Sequence, residues 1–279
     1  MKIGILGYGE IGKAIQKLYL ETICNPRASK NRWTLLGTHG VQLCIKDLDF
    51  DEGIRHSEYL HVCIPHSDDF VDQVCECIEQ ENPKNVIIHS TVQVGTTRKI
   101  MEKSGLINIC HAPVRGVHPD LYEGLKIFPM YIGYDETQHA KAGFFRQLLT
   151  KDFISELLFL LDSIGVTAKI VNKFETSELA KIASTTYYGM CIAFHGEMQS
   201  LCSEMGLSFE EVMTEWNKGY NAGYTKLGME NVVRPVLNPP SGKIGGHCVI
   251  ANAKLLQEYV YNDVGTETRQ VTDLILKYE

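Results

Sequence analysis

A glycine-punctuated turn in the first dozen residues, short apolar runs alternating with helical patterns, and a late change to long helical periodicity predict the fold class. It is α/β: an N-terminal Rossmann doubly wound sheet followed by an α-helical dimerisation domain. The change of periodicity sets the division, with a sheet domain over 1–172 and a helical domain carrying a cysteine loop over 173–279.

Lys2–Leu6 reads as a buried strand that leads into Gly7-Tyr8-Gly9-Glu10-Ile11-Gly12 and then a helix, the GxGxxG pattern in its strand-to-helix context. The first glycine permits the tight turn, the second lets backbone approach a pyrophosphate, and the third lets helix pack on strand. The helix N-terminus adds amides and dipole for the anion. Gly7, Gly9, Glu10, Ile11 and Gly12 are therefore expected to bind a dinucleotide; the plainer reading is a glycine-rich turn. An acid at the end of the second strand would hold the ribose hydroxyls and favour NAD over NADP. No acid stands near Asn31, but Val41–Ile45 is a plausible strand that runs into Asp47, so Asp47 is chosen. Residues 22–40, including CNPRASKN, are then an insertion, and the plainer reading of Asp47 is a solvated loop acid.

The βα pattern repeats. Strands are expected at Tyr59–Ile64, Asn85–His89, Leu106–Cys110 and Met130–Gly133, with helices near 68–78 and 97–103. Buried apolar runs alternating with helices indicate a parallel sheet. Ligands bind beyond the carboxyl ends of such strands, so Pro65, Ser90, Thr91 and the loop after Cys110 should face the cofactor.

Helix 152–163 and strand 167–171 follow, and then one long helix from Ser177 to about Glu204, with apolar residues Leu179, Ile182, Ala183, Tyr187, Met190, Phe194, Leu201 and Met205 in helical spacing. Thr176 or Ser177 can cap it, Glu178 favours its first turn, and Gly206 ends it. At roughly 40 Å it is longer than a small domain needs, which points to a homodimer interface over 177–204. Lys181, one turn in, reads on spacing alone as a solvated face residue. A helix at 208–216 precedes a weakly patterned segment rich in Gly, Pro and Asn, the composition of a functional loop. It contains GKIGGHCVI, where glycines allow a ligand near backbone and His247 could activate Cys248. The alternative is a cysteine packed as a small hydrophobe.

Composition narrows the partners. A formal charge of −7 argues against a nucleic-acid binder. The N-terminal apolar run is too short for a signal peptide or membrane span, so a cytoplasmic protein with reduced thiols is expected. The nine cysteines form no CxxC pair with a partner, so no metal is expected.

Together these residues resemble a known family. GKIGGHCVIANAKLL resembles the GxGGxC nucleophile loop of the UDP-glucose/GDP-mannose dehydrogenases, within the 6-phosphogluconate dehydrogenase-like superfamily. HSTVQVGTT resembles that family's STVPPGTT segment, and ETSELAKIAS resembles its dimerisation helix with the motif ElaKlaxN. With GYGEIG, four motifs in the family's order cover most of the chain. The resemblance implies oxidation of a primary alcohol of a small-molecule sugar or sugar nucleotide to the carboxylate with two NAD. It implies Cys248 as nucleophile through a thiohemiacetal and thioester, Lys181 as a fixed charge on the developing alkoxide, and Thr91 as positioning water or cofactor.

The departures are specific. The family's catalytic glutamate lies in an SPE segment, where this chain has Ala112-Pro113-Val114. Thr185 stands where the family has asparagine, and Asn252 where it has an acid four residues after the cysteine. The chain ends near where the family's nucleotide-sugar domain would begin, so a truncated member is expected and no UDP-sugar substrate is supported. HAPVRG also resembles the DAPVSG segment of the β-hydroxyacid dehydrogenases, which implies a single hydride transfer with Lys181 as acid/base and Cys248 structural. A third reading is a catalytically idle NAD-binding protein.

Overall fold

The computed structural model describes residues 1–24, 40–135, 144–245, 247–259 and 269–279. Most of the expected insertion, and Gly246 of the cysteine segment, lie outside them. The chain divides into two compact units, Met1–Ala180 and Lys181–Glu279, and the division falls inside the long helix.

The first unit is built on one eight-stranded sheet in the order β3-β2-β1-β4-β5-β6-β7-β8. Its strands are β1 (Lys2–Leu6), β2 (Gln42–Asp47), β3 (Phe50–Asp51), β4 (Tyr59–Val62), β5 (Asn85–Ile88), β6 (Ile109–His111), β7 (Met130–Tyr134) and β8 (Ala168–Asn172). β1, β4 and β5 are continuous apolar runs because both faces are covered: Ile3, Ile5, Leu60, Val62 and Ile87 are fully buried. Four helices connect the central strands: α1 (Glu10–Cys24), α2 (Phe70–Glu81), α3 (Thr96–Ser104) and α4 (Leu121–Ile127). α1 packs against α4, and α2 against α3. A fifth, α5 (Phe144–Ser163), leads into β8.

The expected all-parallel sheet needs correction at two places. β3 pairs antiparallel with β2, and β7 antiparallel with β6 through His111 and Gly133. The second reversal traces to α4. α4 is only seven residues long and is tied to α1, where Lys126 reaches Glu21 at 3.2 Å and the Lys17 ammonium lies 3.8 Å from the Tyr122 ring centroid. It does not carry the chain across the sheet as a parallel return requires.

The long helix α6 (Phe174–Met205) opens before the division and fills the start of the second unit. Its buried residues there include Ile182, Thr186, Gly189, Ala193, His195, Gly196 and Cys202, with several small ones at helical spacing. The apolar set picked out by periodicity is largely the other face: Leu179, Tyr187, Phe194, Leu201 and Met205 are exposed. The reason is close approach. A Cβ on Gly189 would stand 2.6 Å from Val249 Cγ1, and one on Gly196 would meet the Tyr278 ring. Two C-terminal helices, α8 (His247–Tyr259) and α9 (Arg269–Leu276), with Tyr278 just after α9, supply those neighbours, and Ala193, Ile244, Val249, Ala253 and Ile275 form the core.

The segment after Trp216 was expected to be loop. Instead a π-helical run at Glu210–Glu215 passes into α7 (Trp216–Lys226), despite Gly219 and Gly223.

Candidate functional site

In the first unit the glycine turn sits where the strand order reverses, with β1 flanked by β2 and β4. The Gly7 amide donates to the Lys46 carbonyl at 2.8 Å, and the Cys63 amide to the Leu6 carbonyl at 2.7 Å, so both neighbouring strands grip the turn. The three glycines have different reasons. Gly7 has φ +93°, and a Cβ there would stand 2.8 Å from the Ile64 nitrogen. At Gly12 a Cβ would run into the Gly7 carbonyl. At Gly9 it would meet nothing within 4 Å, so the backbone presents an open face to a ligand at the first turn of α1.

Asp47 ends β2, and its Oδ2 accepts the Tyr8 amide at 2.5 Å while Oδ1 accepts the Leu48 amide at 2.7 Å. Each oxygen keeps a lone pair for a hydroxyl. Glu10 is exposed and pairs with His118 of the loop after β6, and Ile11 is half-buried. Pro65 lies exposed beyond β4. Ser90, beyond β5, is buried, and its hydroxyl donates to the Ile64 carbonyl at 2.6 Å, tying the two strand ends together. Thr91 follows half-buried. The turn, Asp47, Pro65, Ser90 and Thr91 thus share one edge of the sheet, and the open face at Gly9 beside an acid fits a dinucleotide.

Several residues escaped the sequence reading. Glu178 was read as a helix-dipole residue, yet it is fully buried and accepts the Gly95 amide at 2.6 Å and the Thr97 amide at 2.8 Å, capping α3. Burial pushes its carboxyl up. A buried chain also crosses the strand ends: the Tyr19 hydroxyl to His61 Nε2 at 2.8 Å, His61 Nδ1 to His89 Nε2 at 2.8 Å, and His89 Nδ1 to the Ala112 carbonyl at 2.7 Å. The carbonyl can only accept, so His89 carries its proton on Nδ1, His61 likewise, and Tyr19 donates. Both imidazoles are neutral. Burial pushes His89 down to about 4 and His61 well below its ordinary value, and it pushes Tyr19 up. The signal was present in sequence, as one histidine in each of two adjacent apolar strand runs.

Beside them, His111 Nε2 donates to the Ser90 carbonyl at 3.1 Å, and its Nδ1 accepts the Ser177 hydroxyl at 2.7 Å. Arg98 of α3 holds Asp135 at 2.6 Å and Glu175 at 2.5 Å, which, with Glu178, fixes the start of α6.

In the second unit Lys181 is half-buried on α6, and the Thr185 hydroxyl donates to its carbonyl at 3.1 Å. Cys248 was placed in a loop; it is the second residue of α8, half-buried in the first helical turn. Asn252 is one turn further on. The contact of Gly189 with Val249 joins the helices that carry Lys181 and Cys248.

Residues 175–275, the cysteine segment included, match the central domain of the UDP-glucose/GDP-mannose dehydrogenase family. Over those residues the chain is similar to that family. It is 24% identical over 253 residues to UDP-glucose 6-dehydrogenase of Campylobacter jejuni, covering 90% of this chain and 56% of that one. It is 24% identical over 178 residues to UDP-N-acetyl-D-mannosamine dehydrogenase of Methanococcus maripaludis, covering 63% of this chain and 35% of that one. The chain therefore spans about half, or less, of the curated relatives it matches. The fold is similar to UDP-D-ManNAc dehydrogenase of Pyrococcus horikoshii, with TM-score 0.66 at 18% identity over 100% of this chain and 69% of that one. It is also similar to 3-hydroxyisobutyrate dehydrogenase of Mycobacterium tuberculosis, with TM-score 0.61 at 14% identity over 99% of this chain and 93% of that one.

No helix among the described residues is long and apolar enough to cross a membrane. Nor do three or more His, Cys, Asp or Glu gather among them to hold a metal ion.

Proposed function

We propose that this chain is an NAD-dependent oxidoreductase that takes a primary alcohol of a sugar or sugar-nucleotide-like substrate towards the carboxylate through Cys248. The observation that carries the reading is the Cys248 thiol in the first turn of α8, within the segment matching the family's central domain. The glycine turn with Asp47 would hold NAD, which supplies a hydride acceptor when bound. Cys248 adds to the aldehyde carbonyl to give a thiohemiacetal, and after oxidation it keeps the acyl group as a thioester until water releases the acid. Lys181 places a positive charge against developing negative oxygen, and Thr91 positions water or cofactor.

The domain reading goes with it, NAD on the first unit and dimerisation through the second. The exposed Tyr187, Phe194, Leu201 and Met205 on α6 support a homodimer. The setting is a cytoplasmic one. Counting NADH formed per substrate tests the mechanism: two per acid is expected, with loss of acid formation in Cys248→Ala. One NADH and full activity in that variant would end it.

One observation favours the β-hydroxyacid-type alternative. Val114, buried and apolar, stands where a hydrolytic carboxylate would be expected. On that reading Lys181 is the acid/base, turnover is reversible, and Lys181→Ala suffers the large loss.

A further inference from the structure

Asn252 carries a polar atom that the fold leaves unmatched. The residue is 4% exposed, and its Nδ2 has no hydrogen-bond partner among the described residues. A buried donor in that state costs about 1–3 kcal/mol, and such groups in folded proteins are almost always satisfied by something. Its position says by what. Asn252 follows Cys248 by one turn of α8, so their side chains are neighbours on one helix face. Cys248 is half-buried and Asn252 buried on that face.

The facing helix repeats the pattern. Thr186 of α6 is 2% exposed, and its Oγ1 has no partner among the described residues. It lies one turn before Gly189, which presses on Val249, the residue after Cys248. Two unmatched polar groups therefore lie on the two helices that meet at Gly189 and Val249, next in sequence to Cys248. Thr185 is no substitute donor, since its hydroxyl is committed to the Lys181 carbonyl.

We propose that Asn252 is the oxyanion donor for carbonyl compounds that add to Cys248; this rests on the reading of Cys248 as nucleophile. The thiol first gives its proton to solvent. The thiolate sulfur then bonds to the carbonyl carbon, the π pair of the C=O bond moves to oxygen, and the resulting anion accepts the Asn252 Nδ2 proton as a hydrogen bond. An amide suits the task because it donates without titrating and brings no negative charge against the anion. The ligand class is a planar carbonyl, an aldehyde or an activated ester, which binds better as it becomes tetrahedral.

Two thiol reactions of the full chain separate the possibilities. p-Nitrophenyl acetate acylates the sulfur through a tetrahedral oxyanion and releases p-nitrophenolate. Iodoacetamide alkylates the same sulfur by displacement of iodide, with no oxyanion. Each rate is taken as the part lost in Cys248→Ala, which removes the contribution of other thiols. Asn252→Ala and Asn252→Ser should acylate about 100-fold more slowly, the usual loss for one oxyanion donor, while alkylation stays at the wild-type rate. Unchanged acylation in both variants overturns the proposal. So does an equal fall in both reactions, which makes Asn252 a packing residue. If Cys248→Ala alters neither reaction, it is the nucleophile reading that fails, a result distinct from the other two.

Discussion

Acid should unfold the first unit through its buried histidines, and the size of the effect follows from the Tyr19-His61-His89-Ala112 chain. Every proton in that chain is already placed, so protonating either ring sets two N–H groups against each other or against a donor. His89 is pushed from 6.5 down to about 4 in the folded protein. The unfolded chain therefore binds a proton below about 6.5 that the folded chain refuses until about 4, and stability falls as pH drops through that window. At about 1.4 kcal/mol per pH unit, His89 alone removes about 3 kcal/mol across it, a large part of a typical 5–15 kcal/mol. His61 shifts in the same direction and adds to it.

The assay is urea unfolding followed by circular dichroism between pH 7.5 and 4.5, for wild type and His89→Gln. The variant should be less stable at pH 7.5, having lost the bond to Ala112, yet lose less on acidification, with a slope shallower by up to about 1.4 kcal/mol per pH unit. A wild-type stability flat from pH 7 to 5, or identical slopes in the two proteins, would refute the assignment of neutral, buried imidazoles.

Three further outcomes are expected. Gly9→Ala should fold with little change in Tm but weaken NADH binding in a fluorescence titration, because its Cβ enters open space at the turn; Gly12→Ala should lower Tm, because its Cβ strikes the Gly7 carbonyl. Glu178→Gln should destabilise by about 1–3 kcal/mol and speed hydrogen exchange at the Gly95 and Thr97 amides, the two donors that lose a carboxylate acceptor. Phe194→Glu combined with Leu201→Glu should leave circular dichroism unchanged and shift size-exclusion elution from dimer to monomer, since both side chains are exposed on α6; unchanged elution would exclude this face as the interface.

The Rossmann half was legible because its signals are local. β1, β4 and β5 are buried on both sides and read as plain apolar runs, and the turn leaves no room for a side chain at Gly7 or Gly12. Even the end of β2 could be placed at Asp47, since a strand pattern and an acid coincide there.

Tertiary contacts decided the rest. Periodicity located α6 but did not tell which face packs within the unit, because it weighs hydrophobicity, whereas a helix packed at close range also buries glycine, alanine and threonine and leaves larger side chains exposed. The reversal of β7 depended on α4 being held to α1, a long-range tie. Cys248 read as loop because glycines precede it and its helix is short in apolar pattern, while the contact of Val249 with Gly189 is what gives that helix a surface to fold on. The matched histidines and the capping role of Glu178 likewise exist only between elements distant in sequence. By itself the sequence determined which segments are strand, turn and helix around the glycine turn, since those depend on residue type and spacing. Which faces meet, and therefore which polar groups are satisfied and which, like Asn252, await a partner, was settled only when the chain was packed.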